Sequence, residues 1–511
     1  MSIEKLPSAH PTWLFVHNAG LADSPLPIPP MSSIILSTLN ARYSHASLGL
    51  RYLLANMGAL EAQTELIEFI ISHKPVEIVE TLLDKRPVII GLGVYIWNVE
   101  ETTKVVALLK QVAPGVIVVL GGPEVSYEYA GQPIVELADY LIPGPADLAF
   151  GELCQRLLDG ERPADKVIVP QPMALERIAL PYRLYSDQDI AHRLIYMEAS
   201  RGCPFKCEFC LSSLDNAVQT FDLEAFLAEM DILYQRGVRQ FKFVDRTFNL
   251  NIKSCLRILD FFLERLDDKL FLHFELVPDH LPERLRAAIA RFPAGSLQFE
   301  IGIQTFDPAV QERISRKQDN LKTEENLRWL RENSHAHIHA DLIIGLPGED
   351  LDGFASGFNR LVALGPHEIQ VGILKRLRGT PIARHTEAFG IRYSPEAPYN
   401  ILCSDLIDFK TMQRLSRFAR YWEVVANSGR FPASLPLLLG PDPFARFLNF
   451  SDWLYATTRQ THQIALERLF DLVYQWLTTQ AGIEAESARA ALGHDYRASG
   501  AKGCPKCLVV D

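Results

Sequence analysis

Residues 193–210 read RLIYMEASRGCPFKCEFC, an apolar run of strand character that breaks off into a loop carrying Cys203, Cys207 and Cys210. Five further strand-like runs follow: QFKFVDRT (240–247), LFLHFELV (270–277), SLQFEIGIQ (296–304), AHIHADLIIG (336–345) and EIQVGILK (368–375). Amphipathic helical patterns lie between them, so six strands with crossover helices predict a partial or complete (β/α) barrel over 193–388. Such a barrel builds its chemistry at the carboxyl ends of its strands, and the cysteine loop sits at one of those ends.

Upstream, SSIILSTLN (32–40), PVIIGLGVYIW (87–97), GVIVVLGGPEV (115–125) and ADYLIPG (138–144) are near-continuous apolar runs alternating with helical patterns. This predicts a doubly wound parallel sheet over 31–155, with strands buried on both faces. Its ligand would lie outside the strand ends, at Asn40 to His45, Gly93 to Trp97 and Gly121 to Glu124. Residues 156–192, with Pro163, Pro170, Pro172 and Pro181, read as a linker. Strand signals fade after about residue 388. Residues 389–500 read as a helical module, with Ser404 capping one helix and Ser451 and Asp452 opening another. Residues 501–511 form a tail with Cys504 and Cys507. Residues 1–30 carry six prolines and read as a flexible extension, with Met31 as an alternative start.

The composition narrows the class. The chain has 511 residues, is 48% hydrophobic and 22% charged, and has a net charge of −11. That is a globular composition, and its sign is a poor match for nucleic acid or an anionic membrane. No apolar run reaches the ~20 residues needed to span a bilayer. Eight cysteines are too few for a disulfide scaffold of this length. No secretory signal is present, so a cytoplasmic location is expected.

Cys-x3-Cys-x2-Cys on a strand-end loop suits three thiolates on three irons of a 4Fe–4S cluster, leaving the fourth iron open to a ligand. A structural zinc site would want a fourth ligand close by, and the sequence offers none. With its companion strand-end segments, the motif resembles the radical S-adenosylmethionine enzymes, whose barrel is of the TIM type. The resemblance implies that Cys203, Cys207 and Cys210 hold the cluster and that S-adenosylmethionine is cleaved to a 5′-deoxyadenosyl radical. It further implies cofactor contacts from Phe209, Asp245, Glu300, Gln304, Arg316 and the turn at Ile343.

The order of domains, with NARYSHASLGL, GLGVYIWNVEET and GGPEV at the strand ends, resembles the cobalamin-dependent members, whose first domain is Rossmann-like. It implies cobalamin contacts from Asn40, His45, Gly93, Tyr95, Gly121 and Gly122. The usual Asp-x-His-x-x-Gly pattern is broken here by Tyr43 and by Gly49, one residue late. A cobalt face without a protein ligand is therefore expected. Gly144-Pro145-Ala146-Asp147 stands where the family has Gly-Glu-Gly-Glu, which weakens a role there. The C-terminal part is similar to an uncharacterised module that follows some of these enzymes.

Among weaker signals, His335, His337, His339 and Asp341 alternate on one strand, so they share a face. His339, Asp341 and Glu275 are candidate acid–base or substrate groups, while His335 and His337 are expected in a loop at the barrel's bottom. Asp279 would be substrate-side or a helix cap. Lys375, Arg376, Arg378 and Arg384 would clamp an anionic substrate group or form a solvated rim. Cys504 and Cys507 read as a free dithiol. The resemblance implies methyl transfer from methylcobalamin to an unactivated carbon of a small-molecule or peptide substrate. A flavodoxin or ferredoxin would supply electrons, and neither membrane nor nucleic acid is expected as a partner. A cobalamin-using cyclase or rearrangement enzyme is the alternative among enzymes. A cobalamin-binding regulator or carrier is the alternative outside them.

Overall fold

The computed structural model describes residues 33–215 and 217–509. The proline-rich extension and the choice between Met1 and Met31 lie outside the described residues.

Five parallel strands form the first sheet: β1 (Ile34–Asn40), β2 (Thr64–Ile70), β3 (Ile89–Gly93), β4 (Ile117–Gly121) and β5 (Tyr140–Ile142), in the order β2-β1-β3-β4-β5. Helices α1 (Leu48–Ala55) and α5 (Ala149–Leu158) close one core on one face. Helices α2 (Pro75–Asp84), α3 (Val99–Val112) and α4 (Pro133–Leu137) close another on the opposite face. The seven residues of β1 are all buried, as a central strand covered on both faces requires. The strand order reverses between β1 and β3, which opens a crevice above their carboxyl ends. The sequence reading missed β2. Its TELIEFI is the edge of the sheet, partly exposed at all but Phe69 and interrupted by Glu65 and Glu68, so it lacks the continuous apolar run of its neighbours.

The expected linker holds α6 (Asp187–His192) and is pinned to the first domain by the Asn56 side chain. That side chain accepts from Ala179 N–H at 2.8 Å and donates to Ala179 C=O at 3.1 Å. Arg51, buried on α1, bridges Glu68 at 3.0 Å and Asp189 at 2.9 Å. Arg193 reaches the same Glu68 at 2.7 Å. A paired buried network of this kind fixes geometry more than it adds stability.

The second sheet has six parallel strands in sequential order: β6 (Ile195–Met197), β9 (Gln240–Phe243), β10 (Phe271–Leu276), β11 (Leu297–Gln304), β12 (His337–Ile344) and β13 (Glu368–Ile373). A two-residue ribbon, β7 (Ser200–Arg201) paired with β8 (Gln219–Thr220), ties the ends of the cysteine loop together. The crossover helices are α7 (Leu223–Gln235), α8 (Ile252–Leu263), α9 (Glu283–Ile289), α10 (Pro308–Arg313), α11 (Asn320–Asn333) and α12 (Leu351–Leu364). This is the expected partial barrel. In β12 the residues alternate between the two faces: Ile338, Ala340, Leu342 and Ile344 are buried, while His337, His339, Asp341 and Ile343 are intermediate. His337 is thus a strand residue, not a loop residue as expected.

A ribbon of β14 (Arg392–Tyr393) and β15 (Ile401–Cys403) leads into α13 (Phe409–Val425), α14 (Leu435–Leu439), α15 (Pro443–Thr458), α16 (Leu466–Thr479) and α17 (Ala485–Ala498). The first helix is capped by Asp408, which accepts from Thr411 N–H, and not by Ser404, which caps the preceding turn. Ser451 and Asp452 lie inside α15, whose cap is Asp442. These helices share one continuous core with the barrel through Phe358, Phe418, Trp422 and Phe444. The tail is anchored as well: Cys507 N–H donates to Asp471 at 2.9 Å, and Arg489 donates to Cys507 C=O at 3.0 Å. No helix among the described residues is long and apolar enough to cross a membrane.

Candidate functional site

The cysteine loop leaves β7 at Gly202, whose φ is +89° and where an added Cβ would stand 2.1 Å from the Ala217 carbonyl oxygen. Only glycine fits that turn. Cys203 N–H then donates to Asp215 C=O, and Cys210 N–H donates to Cys207 C=O, so the loop folds back on itself. The three sulfurs line one wall of a cavity of about 220 Å³ at the carboxyl ends of the barrel strands. Burial raises the Cys203 and Cys207 thiols above their ordinary value, and at Cys207 the Arg316 guanidinium, 3.6 Å from Sγ, opposes that rise. Three thiols free of disulfides on one cavity wall are a soft donor set that fits iron.

Most sequence-predicted residues meet in this cavity. Phe209, Glu275, Glu300, Gln304, Arg316 and Asp341 all line it. Gln304 stands at φ +68°, where the pairing of β11 with β12 slips. A non-glycine residue held there stores about 1–3 kcal/mol of strain. Arg316 is fixed by Gln318 at 3.0 Å and by the Gly302 carbonyl. Glu300 is held down to about 2 by the hydrogen bond from His273. Burial raises the Glu275 carboxyl, opposed by Arg246 at 2.7 Å. Asp279 also lines the cavity and accepts from Asp319 N–H.

Three expected residues stand apart from the cavity: His339, which reaches it only through Asp341 at 3.1 Å, Asp245 and Ile343. Asp245 is buried with its carboxylate accepting from Ala199 N–H and from the Ser200 hydroxyl at 2.6 Å. It faces a neighbouring cavity of about 620 Å³, and burial lifts it to about 7. Ile343 packs against the apolar core and is not among the lining residues.

Above the first sheet lies a cleft of about 290 Å³ lined by Gly49, Gly91, Gly93, Gly121, Gly122 and Gly144. Bare backbone on this scale suits a large flat ligand that must approach closely. Tyr95 lines it too and stacks on Trp97 at 4.4 Å. Asn40 and His45 do not line it. The Asn40 amide donates to His45 C=O and to Glu68. His45 Nδ1 pairs with the Tyr196 hydroxyl at 2.6 Å, and burial, with Lys242 and Arg42 nearby, lowers its pKa.

The linings of the two cavities come within two residues of each other in the chain. Glu198 and Arg201 line the cleft, and Cys203 lines the barrel cavity. Arg201 donates to both oxygens of Asp147 at 2.9 and 3.0 Å and to Glu198 at 2.7 Å, beneath the Tyr52 ring. Asp147, from the segment where a role seemed weakened, is therefore the first domain's grip on the cysteine loop.

Sequence reading passed over Glu208, between Cys207 and Cys210. It is buried, accepts from Ser315 at 2.6 Å and from Arg384, and meets His385 Nε2 at 2.8 Å. Its only sequence signal was an acidic residue in a motif whose other charges, Arg201 and Lys206, are basic. The arginines of the expected basic clamp are likewise paired with acids of the protein itself. Arg376 pairs with Glu128 at 2.9 Å, Arg378 with Glu124 at 2.7 Å, and Arg384 with Glu208. Lys375 pairs through its backbone with Asn400. This stretch after β13 thus joins the end of the barrel to the first domain, the cysteine loop and the C-terminal segment.

Three family models match. They are the Radical SAM superfamily over residues 197–357, the B12 binding domain over 35–154, and a protein of unknown function, DUF4080, over 387–510. A 2-(S-pantetheinyl)-carbapenam-3-carboxylate methyltransferase from Streptantibioticus cattleyicolor is 26% identical over 361 residues, covering 61% of this chain and 51% of that protein. The cobalamin-dependent radical SAM methyltransferase TokK from Streptomyces tokunonensis matches at the same identity and coverage. The chain thus spans about half the length of these curated relatives. The solved structure of the methyltransferase TsrM from Kitasatospora setae, with cobalamin and a [4Fe-4S] cluster bound, superposes with a TM-score of 0.57 at 16% identity. It covers 92% of this chain and all of that one, and shares the fold.

Proposed function

We propose that this protein, in which a B12 binding domain stands ahead of a radical SAM domain, is a cobalamin-dependent radical S-adenosylmethionine methyltransferase acting on a carbon of a small molecule. The observation that carries the reading is the pair of cavities, one glycine-lined and one cysteine-lined, whose lining residues Arg201 and Cys203 stand two positions apart in the chain. Cys203, Cys207 and Cys210 would hold the cluster, and the glycine cleft would hold the corrin. The cluster supplies the electron that cleaves S-adenosylmethionine, and cobalamin supplies a methyl carrier.

The chain's own residues then divide the remaining work. Arg316 presents a cation beside Cys207, where a carboxylate can pair with it. Glu300, held anionic, and Gln304 offer acceptors and an amide to hydroxyl or ammonium groups. Phe209 gives an apolar wall. The Arg201–Asp147 pair holds the two cavities in register, so that a group can pass between them away from water. Electrons would come from a small iron–sulfur or flavin protein in the cytoplasm.

The test is anaerobic reconstitution with iron, sulfide and hydroxocobalamin, followed by reductant and S-adenosylmethionine. Bound corrin, 5′-deoxyadenosine and S-adenosylhomocysteine are expected together. Cluster and 5′-deoxyadenosine without bound corrin would remove cobalamin from the reading. Corrin without 5′-deoxyadenosine would leave a binding protein.

A further inference from the structure

The geometry points to a proton relay, Asp341–His339–Glu368–His337, that runs down the barrel interior from the cysteine-lined cavity to the opposite rim. It rests on the reading that substrate reacts in that cavity. His337, His339 and Asp341 alternate along β12 and so project on one face. Glu368, the first residue of β13, lies opposite His339 in register. The atoms follow one another at short distances: His337 Nε2 to Glu368 Oε1 at 3.1 Å, Glu368 Oε2 to His339 Nδ1 at 3.0 Å, and His339 Nε2 to Asp341 Oδ1 at 3.1 Å. The outer end opens to solvent, since the His337 side chain is 37% exposed. The inner end, Asp341, lines the cavity with the cysteines.

One feature separates this row from an ordinary buried ion network. The His339 Nε2 and Asp341 Oδ1 atoms are buried and, among the described residues, neither makes an aligned hydrogen bond, although they are 3.1 Å apart. Such orphaned atoms are costly unless something completes them, and Asp341 lines the cavity. The link nearest the substrate is thus the open one, and the outer links are already closed.

The charges along the row alternate in sign. Burial alone would lower His339, but Asp341 and Glu368 carry it up to about 10. Glu368 falls to about 2 under its two histidines, and burial raises Asp341. Glu300 and His273 face the row from β11 and β10, Glu275 stands further along β10, Lys242 comes from β9, and Arg316 from the loop before α11. A row that alternates acid and base between a dry cavity and water moves protons by successive short transfers.

The substrate class that uses such a row has a hydroxyl, ammonium or ring N–H next to the reacting carbon. Its O–H or N–H bond breaks, the electron pair stays on the substrate, and the proton joins Asp341. Each link passes its own proton one place along, and one proton leaves His337 for water. No electron changes hands, and no oxidant is required.

The experiment is solvent exchange of the His339 imidazole N–H, read by nitrogen-15 NMR on the reconstituted full-length protein. His337→Phe removes the outer end, and Glu368→Gln breaks the middle link as a second variant. Exchange at His339 is expected to slow at least tenfold in each. An unchanged rate in the variants that fold would overturn the relay. Cleavage of S-adenosylmethionine by the same wild-type sample is scored separately. Its absence would remove the cofactor reading, and the exchange rates would still decide the relay.

Discussion

Arg201 holds both carboxylate oxygens of Asp147, and through that pair the first domain is bound to the loop that carries the cysteines. Arg201 is mostly buried, and burial is outweighed by Glu198 and Asp147 in raising its pKa. Removing one partner of a buried pair strands the other, which costs about 3–5 kcal/mol. Arg201→Ala is expected near the lower end, because about a fifth of the side chain still meets solvent. The transition temperature should fall by several degrees, and proteolysis between residues 156 and 192 should accelerate. Wild-type melting would show that the two cavities are held together by other contacts.

Glu208 leads to a prediction about the cluster itself. Glu208→Gln keeps the shape but leaves Arg384 without its anion. Charged hydrogen bonds are worth about 1.5–3 kcal/mol each, so the loop should loosen without unfolding the barrel. Iron incorporation should persist, while S-adenosylmethionine cleavage falls about tenfold. Electron paramagnetic resonance of the reduced cluster would report the change, and an unaltered spectrum with full activity would refute it.

His45 should prove dispensable for corrin binding. It pairs with Tyr196 and lies outside the glycine cleft. His45→Ala is expected to bind cobalamin at wild-type stoichiometry with an unchanged visible spectrum. The lost hydrogen bond should cost about 1 kcal/mol of stability. A shifted corrin spectrum would show that the loop rearranges to bring the imidazole to the cobalt.

Glu349 carries a pH signature. It is buried, its Oε1 accepts from Thr305, and its Oε2 has no partner among the described residues; burial raises it to about 8. A carboxyl whose folded value is raised holds its proton better when native. Its stability contribution is therefore full below the ordinary value of about 4.5 and is lost as pH rises through about 8. Glu349→Gln should flatten that decline, so the variant gains on wild type between pH 5 and pH 8.5 by a few kcal/mol at most. Parallel melting curves across that range would show that the site is relieved by other means.

The sequence was most informative where one periodicity acts alone. The buried runs of β1, β3 and β4, and the motif from Cys203 to Cys210, stand out because nothing local competes with them. The edge strand β2 was missed because all of its residues but Phe69 are partly exposed. The cap of α13 was misplaced because Ser404 and Asp408 both satisfy the capping chemistry, and only packing chooses Asp408. Glu300, Gln304 and Arg316 were legible as polar residues at strand ends. Asp245 has the same signature, yet its carboxylate is taken by Ala199 and Ser200, and that direction is set by backbone twist no pattern records. The pairing of Arg376, Arg378 and Arg384 depends on acids some 176 to 254 residues away, so it was out of reach.

In β12, polar and apolar side chains occupy opposite faces of one strand with a period of two. Insertion or deletion of a single residue there would exchange the faces, pressing His339 and Asp341 into the helices and turning Ile338 and Leu342 toward the barrel axis. No such change could alter the chemistry of the interior while sparing the fold. Variation along β12 is therefore confined to substitution, and a library built to change what the interior does should hold its length fixed.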